Sequence, residues 1–405
     1  MATRPNRSSR PAVSALSVRP AGADIDNGRI ALTRTAFIYS DKLWERGHGE
    51  YHPLKPERLK RTYELLEAYG AFDSEDSLLV PPRQATVEEL GLFHSQEYIT
   101  AVQQLSRGEK GVNAARYNFG TGDNPVFAGM YETETLKLGA GMVALELVLS
   151  GEVEVAFSFA GGMHHARPAY ASGFCVFNDV AVAIHKMLAE GLRVAYIDID
   201  VHHADGVQAA FYDNDRVLTI SFHESGYYLF PGSGFVEEMG RGVGRGYAVN
   251  LPLAPYTDDE TYVWAFREVV PPLVQKFDPD IVVTQLGIDT HYQDPLAHLC
   301  LTTEGYVAVV ETIKSLAPRW LSFGGGGYEL DVVPRAWTLA YGVMREQEFP
   351  DEIPSSYADK YGLTTLRDHK KPFLDDRMRD QARSQAEAGV EALKRTVLRS
   401  IQGRG

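Results

Sequence analysis

The stretch from Val194 to Gly206 limits what this chain can fold into more than any other. It opens with an apolar run, Val194 to Ile199, bounded by Gly191 upstream and Gly206 downstream. That is the pattern of a strand buried on both faces of a parallel sheet, followed by the loop at its C-terminal end. Open α/β sheets place their chemistry at such strand ends. Asp200 and His202 stand two apart, so on extended backbone their side chains leave the same side and can converge on one cation. Carboxylate oxygen and imidazole nitrogen are both ordinary zinc ligands. A lone Asp-x-His reads as readily as a solvated strand end capping the next helix. Here Asp198, His203 and Asp205 crowd the same stretch, with His223 nearby. So many ionisable groups at the mouth of an apolar strand cost several kcal/mol unless something pairs them, and a metal ion is the simplest partner.

The rest of the chain alternates strands and helices around this element. Ala36 to Tyr39 is a short opening strand. His52 to Leu59 leads into a helix with Leu59, Leu65, Leu66 and Ala68 on its apolar side, and residues 86 to 105 read as a second helix, starting at a Thr86-x-x-Glu89 capping box. The turn formers Gly120 to Pro125 precede a helix over about 131 to 149. The strand Val155 to Phe159 breaks at Gly161-Gly162 and delivers His164-His165. Further helices are expected over about 178 to 190, Val207 to Tyr212, 258 to 276, 303 to 315 and 331 to 346. Further strands are expected over Val217 to His223, Tyr247 to Leu251, Ile281 to Gln285 and Trp320 to Phe323. This alternation implies a parallel sheet with helices on both faces. With no repeat, and no Pro/Gly/Ser linker after residue 30, one catalytic domain over 31–370 is expected, followed by a charged, helical C-terminal tail over 371–405. Residues 1–30 hold five Arg and two acids. They read as a disordered N-terminal tail, with an organellar transit peptide as the alternative.

Composition narrows the function. A formal net charge of -14 argues against a nucleic-acid binder and would attract a basic partner such as a lysine-rich protein tail. The two cysteines, Cys175 and Cys300, lie in apolar runs, so no disulfide framework is expected and a reducing cytoplasm is. No apolar run approaches the roughly 18 residues of a membrane span.

Four strand ends present chemistry: His164-His165, then Asp198, Asp200 and His202, then Asp289, then Gly324-Gly325-Gly326-Gly327-Tyr328. In a parallel sheet all of these share one edge and one pocket. Asp289 would complete a set of two Asp and one His, leaving a fourth position open as catalytic zinc sites do. Such a metal lowers the pKa of bound water toward ~7 and polarises a carbonyl. A neutral imidazole of the His164-His165 pair can move the proton, while Asp198 and Asp205 orient the rings. The glycines let the backbone lie close to a ligand and aim Tyr328, a hydrogen-bond donor for a developing oxyanion. Phe174 and Phe230 sit in Gly-flanked loops that can wall an apolar channel.

Taken together, Gly161 to Ala166, Ser172-Gly173-Phe174-Cys175, Asp198 to Gly206, Ser221-Phe222-His223, Phe230-Pro231-Gly232 and Gly324 to Tyr328 resemble the motifs of zinc-dependent, class I-type histone deacetylases. His52 to Leu59 and Asp123 to Pro125 bring the likeness nearest to the bacterial acetoin-utilisation deacetylases, over about residues 34 to 350. The resemblance implies an arginase/deacetylase fold with a central eight-stranded parallel sheet, and removal of acetyl from Nε-acetyl-lysine in proteins or peptides. It implies zinc on Asp200, His202 and Asp289. His165 would be general base and acid, His164 its electrostatic partner, and Tyr328 the group that holds the acetyl oxygen. Gly173, Phe174 and Phe230 would flank the lysine chain, with Leu296 and Asp123 at the rim. It also implies K⁺ at Asp198, Asp200, His202, Ser221 and Phe222, and at a second site of Phe211, Asn214, Val217 and Tyr247.

Leu286 and Ile288 depart from the family pattern around the third ligand, and His291 adds an imidazole near the metal edge; it and His298 are expected at the rim or surface. Three alternatives stand beside this reading. A two-manganese ureohydrolase would want a ligand where Met163 stands, and thioether is too soft for Mn²⁺. A non-catalytic acetyl-lysine binder would lack one of His165, Asp289 or Tyr328. An acetylpolyamine hydrolase would want an acidic gate, for which only Asp123 and Glu224 offer themselves.

Overall fold

The computed structural model describes residues 33–401, apart from Thr121, together with residue 403. The expected N-terminal tail over 1–30 lies outside the described residues. Eight strands are present among the described residues: β1 Thr35–Ile38, β2 Ser77–Val80, β3 Val155–Ser158, β4 Val194–Asp198, β5 Val217–Glu224, β6 Ala248–Leu253, β7 Ile281–Gln285 and β8 Trp320–Phe323. All pair in parallel, in the order β2-β1-β3-β8-β7-β4-β5-β6. The helices are α1 Glu57–Ala68, α2 Val87–Leu90, α3 Gln96–Ser106, α4 Met130–Ser150, α5 Asp179–Ala189, α6 Asp205–Phe211, α7 Asp259–Phe277, α8 Thr303–Leu316, α9 Val333–Arg345, α10 Ser355–Tyr361 and α11 Asp376–Ser400.

The central strands are apolar on both faces because both faces are covered. Phe37, Phe157, Ile197, Ile220 and Val282 enter one core with α1, α7, α8, α9 and α11. Their chain neighbours Ala36, Ala156, Tyr196 and Val283, with Leu321 of β8, enter the other, with α3, α4 and α5. Each fully buried large side chain contributes about 1.5–3 kcal/mol, and Trp320, Trp337, Phe157 and Tyr262 are among the largest. α4 is buried around most of its circumference, as a helix wedged between the sheet, α3 and α5 must be.

Three differences from the sequence reading have physical causes. β2 went unrecognised because it is a short edge strand, Ser-Leu-Leu-Val, with only Ser77 fully buried, so neither alternation nor a continuous apolar run marks it. The helix read over 86 to 105 is two. The capping box at Thr86 forms as expected, but α2 ends at Gly91, and Ser95 caps a fresh start by accepting from the Tyr98 N–H at 3.3 Å. Finally, the charged segment past 371 contains α11, which lays Ala386, Val390, Leu393 and Val397 into the core beside β6 and α7.

Candidate active site

The strands whose ends carry chemistry are scattered in sequence but contiguous in space: β3, β8, β7 and β4 are four neighbours at the middle of the sheet. From the end of β4 the chain presents Asp200 and His202, and from the end of β7 Asp289. One ligand atom of each lies within 4.8 Å of the others, and all three residues are buried. His202 Nδ1 stands 3.0 Å from Asp200 Oδ1 and 3.1 Å from Asp289 Oδ2. The remaining oxygens are held in place. Asp200 Oδ2 accepts from Gln285 Nε2 at 2.5 Å and from the Gly326 N–H at 2.7 Å, and Asp289 Oδ1 accepts from the Val201 N–H at 2.9 Å. Burial, then the Asp200 charge, pushes the Asp289 carboxyl up to about 6. Burial works against a charged His202, but the two carboxylates outweigh it and raise the ring to about 10. Like charges this close in a dry site call for a cation. Two carboxylate oxygens and one imidazole nitrogen suit Zn²⁺.

Beside this cluster lies the histidine pair. The Gly161-Gly162 break after β3 is pinned by Asp179, whose carboxylate accepts from the Gly162 and Met163 N–H groups at 2.9 and 2.8 Å. His164 Nδ1 donates to Asp198 Oδ2 and His165 Nδ1 to Asp205 Oδ1, each at 2.7 Å, and the two Nε2 atoms stand 2.9 Å apart. Burial opposes charge on both rings. At His164 the carboxylates of Asp198 and Asp200 overcome it and raise the ring to about 9. At His165 burial and the neighbouring His164 charge win, and the ring falls to about 3. A charged ring therefore stands next to a neutral one. Asp205 is itself held well below the usual carboxylate range: burial opposes this, but His165 and an ion pair to Arg167 at 2.5 Å prevail.

The four-glycine loop after β8 closes the other side. A Cβ on Gly326 would stand 2.0 Å from Asp289 Oδ2, so only glycine lets this backbone cover the ligands. The loop is held from below by Arg58, a buried guanidinium that donates to the carbonyls of Gly325 at 2.7 Å and Gly327 at 3.1 Å. Arg58 lies within the His52 to Leu59 stretch, and a lone Arg in a helical pattern carries no sequence signal for holding so distant a loop. Tyr328 follows, its N–H donating to Asp294 Oδ2 at 2.8 Å. Burial, with Asp289 and Asp200, keeps its phenol protonated far above its ordinary range. Phe174 packs edge-on against Tyr328 at 5.8 Å, and Phe230, 43% exposed, packs edge-on against His165 at 5.0 Å. A Cβ on Gly173 would meet both His165 and Phe230.

At the rim, Leu296 is half-buried, its N–H donating to Asp294 Oδ1 at 3.0 Å. Asp123 is exposed, its carbonyl accepting from His52 Nε2 at 3.2 Å. Ser221 pairs in register with Asp198, and Phe222 follows it in β5. At the opposite end of β5 lie Phe211, Asn214, Val217 and Tyr247, where the Asn214 N–H donates to the Phe211 carbonyl at 3.0 Å and the Thr219 N–H to that of Tyr247 at 2.8 Å. One expectation is corrected. His298 has an exposed side chain, but His291 is neither rim nor surface: its ring is buried and bonded through Nε2 to Asp368 at 2.8 Å. Nothing in local sequence links residues 77 apart.

A fully parallel eight-stranded sheet with this donor cluster at its crest defines a hydrolase of the arginase/deacetylase fold. The chain belongs to the histone deacetylase family, since residues 52–344 match the histone deacetylase domain. It is 41% identical over 335 residues to the acetoin utilization protein AcuC of Bacillus subtilis (strain 168), covering 81% of this chain and 86% of that one. It is 38% identical over 333 residues to human histone deacetylase 1, covering 81% of this chain and 68% of that one. Among solved structures it is similar to a histone deacetylase homologue from Aquifex aeolicus, with a TM-score of 0.80 and 31% identity, over 88% of this chain and 100% of that one. A histone deacetylase homologue complexed with SAHA gives a TM-score of 0.81 at the same identity and coverage. Among the described residues no helix is long and apolar enough to cross a membrane.

Proposed function

We propose that this protein is a zinc-dependent lysine deacetylase that hydrolyses Nε-acetyl-lysine in proteins or peptides. The observation that carries the reading is the convergence of Asp200, His202 and Asp289 beside a histidine pair braced by two buried carboxylates. A zinc ion bound by those three side chains supplies Lewis acidity toward water and the amide carbonyl. The other steps fall to the chain's own groups. Phe174 and Phe230 enclose the lysine stem where Gly173 leaves them room, and Asp123 and Leu296 meet the substrate backbone. His165, its Nδ1–H held by Asp205, takes a proton at Nε2 from the attacking water. The water oxygen bonds to the acyl carbon, and the same nitrogen returns the proton to the amine as the C–N bond breaks. His164, charged against Asp198, lowers the basicity of its neighbour so that this proton is released. The Tyr328 phenol donates to the carbonyl oxygen as its charge develops.

Two K⁺ ions are assigned to Asp198, Asp200, His202, Ser221 and Phe222, and to Phe211, Asn214, Val217 and Tyr247. The likeness to the acetoin utilization proteins and the two free, buried cysteines support work in the cytoplasm. Of the two carboxylates that a polyamine would want at the mouth, Glu224 is buried and committed to His298 through two bonds of 2.8 Å. That favours the lysine substrate. The test is zinc content per chain, measured together with hydrolysis of an acetyl-lysine peptide against N-acetylputrescine. About one zinc with peptide turnover is expected; two manganese ions, or turnover of the polyamine alone, would overturn the assignment.

A further inference from the structure

Between α9 and α11 the chain runs past the end of the family match at residue 344 and reaches Asp368, whose side chain is only 6% exposed. Three groups meet that carboxylate. His291 Nε2 donates at 2.8 Å, Arg335 Nη1 at 2.9 Å and the Thr303 N–H at 2.8 Å. Thr303 opens the 14-residue helix α8, so the charge also sits where a helix dipole favours it. The Asp368 N–H donates back to Thr303 Oγ1 at 2.9 Å. This is a deliberate anchorage for one carboxylate, and His291 carries it into the active site. The His291 N–H donates to the Ile288 carbonyl at 3.0 Å, closing the turn that holds Asp289. Its carbonyl accepts the Asp294 N–H at 2.9 Å, and Asp294 in turn accepts the Tyr328 N–H at 2.8 Å.

We propose that Asp368 is a positioning residue of the active site: through His291 it fixes the turn bearing Asp289 and, through Asp294, the backbone of Tyr328. The inference rests on reading Asp200, His202 and Asp289 as metal ligands. The Val201 N–H fixes one oxygen of the Asp289 carboxylate, and the buried, charge-assisted bond from His291 to Asp368 fixes the turn that carries it. Loss of a partner bonded directly to a metal ligand typically lowers affinity about 10- to 100-fold, and Asp368 acts one step further out, through His291, so an effect of about 10-fold is expected.

The experiment titrates Zn²⁺ into metal-stripped, full-length protein against a competing chelator and records the melting temperature of the stripped form. Asp368→Asn is expected to weaken zinc binding about 10-fold, and Asp368→Glu to recover part of the loss. His291→Leu, which removes the donor from the other side, gives the same loss and serves if Asp368→Asn does not fold. Asp351→Asn is the control. Asp351 binds the Arg367 N–H and His369 in the same segment, so its loss lowers the melting temperature and leaves zinc affinity alone. Wild-type zinc affinity in both Asp368→Asn and His291→Leu would reduce the contact to simple docking of the segment and overturn the proposal. A wild-type protein that takes up no zinc would overturn the ligand reading and this inference with it.

Discussion

Substituting Gly326 by alanine is the sharpest test of how the site is built. The added Cβ would stand 2.0 Å from Asp289 Oδ2 and 2.7 Å from Asp200 Oδ2, whereas real Cβ atoms essentially never come nearer than 3.0 Å. Either the loop or the Asp289 carboxylate must therefore retreat by about 1 Å, because a packed interior has no slack to absorb it. Retreat of the loop stretches the Gly326 N–H bond to Asp200, now 2.7 Å, beyond the ~3.2 Å reach of such bonds. It also pulls on the Ile288 N–H that donates to the Gly326 carbonyl at 3.0 Å. Retreat of the carboxylate moves a proposed ligand directly. Either way a shift near 1 Å at reacting groups corresponds to about 10²-fold in turnover, or about 2.7 kcal/mol of transition-state stabilisation. The assay is deacetylation of an acetyl-lysine peptide at saturating zinc, with zinc affinity measured on the stripped protein. Gly120→Ala, where a Cβ meets nothing within 4 Å, is the control and should keep wild-type zinc affinity. A folded Gly326→Ala protein with wild-type affinity and turnover would refute the account of the loop as a close cover over the ligands.

Two further outcomes are expected. Tyr328→Phe should lower kcat by on the order of 10²–10³ with zinc content unchanged; undiminished turnover would remove the phenol from the reaction. His94, 3% exposed, accepts the Asn178 N–H at 2.9 Å and bonds the Arg167 carbonyl at 3.1 Å; burial holds its pKa near 3. Its folded value lies below the ordinary 6.5, so its contribution is complete above pH 6.5 and is lost as pH falls. The loss is about 2–3 kcal/mol at pH 4.5, and His94→Gln should lose correspondingly less in urea unfolding between pH 7 and 4.5. Equal losses in the two proteins would contradict this.

What could be read from sequence followed from local pattern. Val194 to Ile199 declares a buried strand because both its faces are apolar, and β7 and β8 announce themselves likewise. Asp200, His202 and Asp289 were recognisable because charge after such a run demands a partner, and the structure brings them together. Order across the sheet was not readable, since nothing in Trp320 to Phe323 says that it pairs with β3 on one side and β7 on the other. Contacts between distant segments were hidden for the same reason. Arg58 reaches carbonyls some 270 residues away, and His291 was expected at the surface because its partner Asp368 lies outside the recognisable motifs. β2 escaped notice because an edge strand of four residues needs little apolar character to pair.

The strand order also has a consequence for how the molecule is made. Synthesis completes two half-sheets first, β2-β1-β3 and β4-β5-β6, and β7 and β8 then enter between them at the centre. Until β7 has left the ribosome β4 is an open edge, and β3 stays open until β8 follows; such edges invite mispairing and aggregation. Asp200 and His202 meanwhile wait on one half, and Asp289 has yet to arrive. The growing chain cannot assemble a three-ligand site until β7 has emerged and paired with β4, so metal acquisition comes late in synthesis, and a chaperone that shields the open edges would act before it.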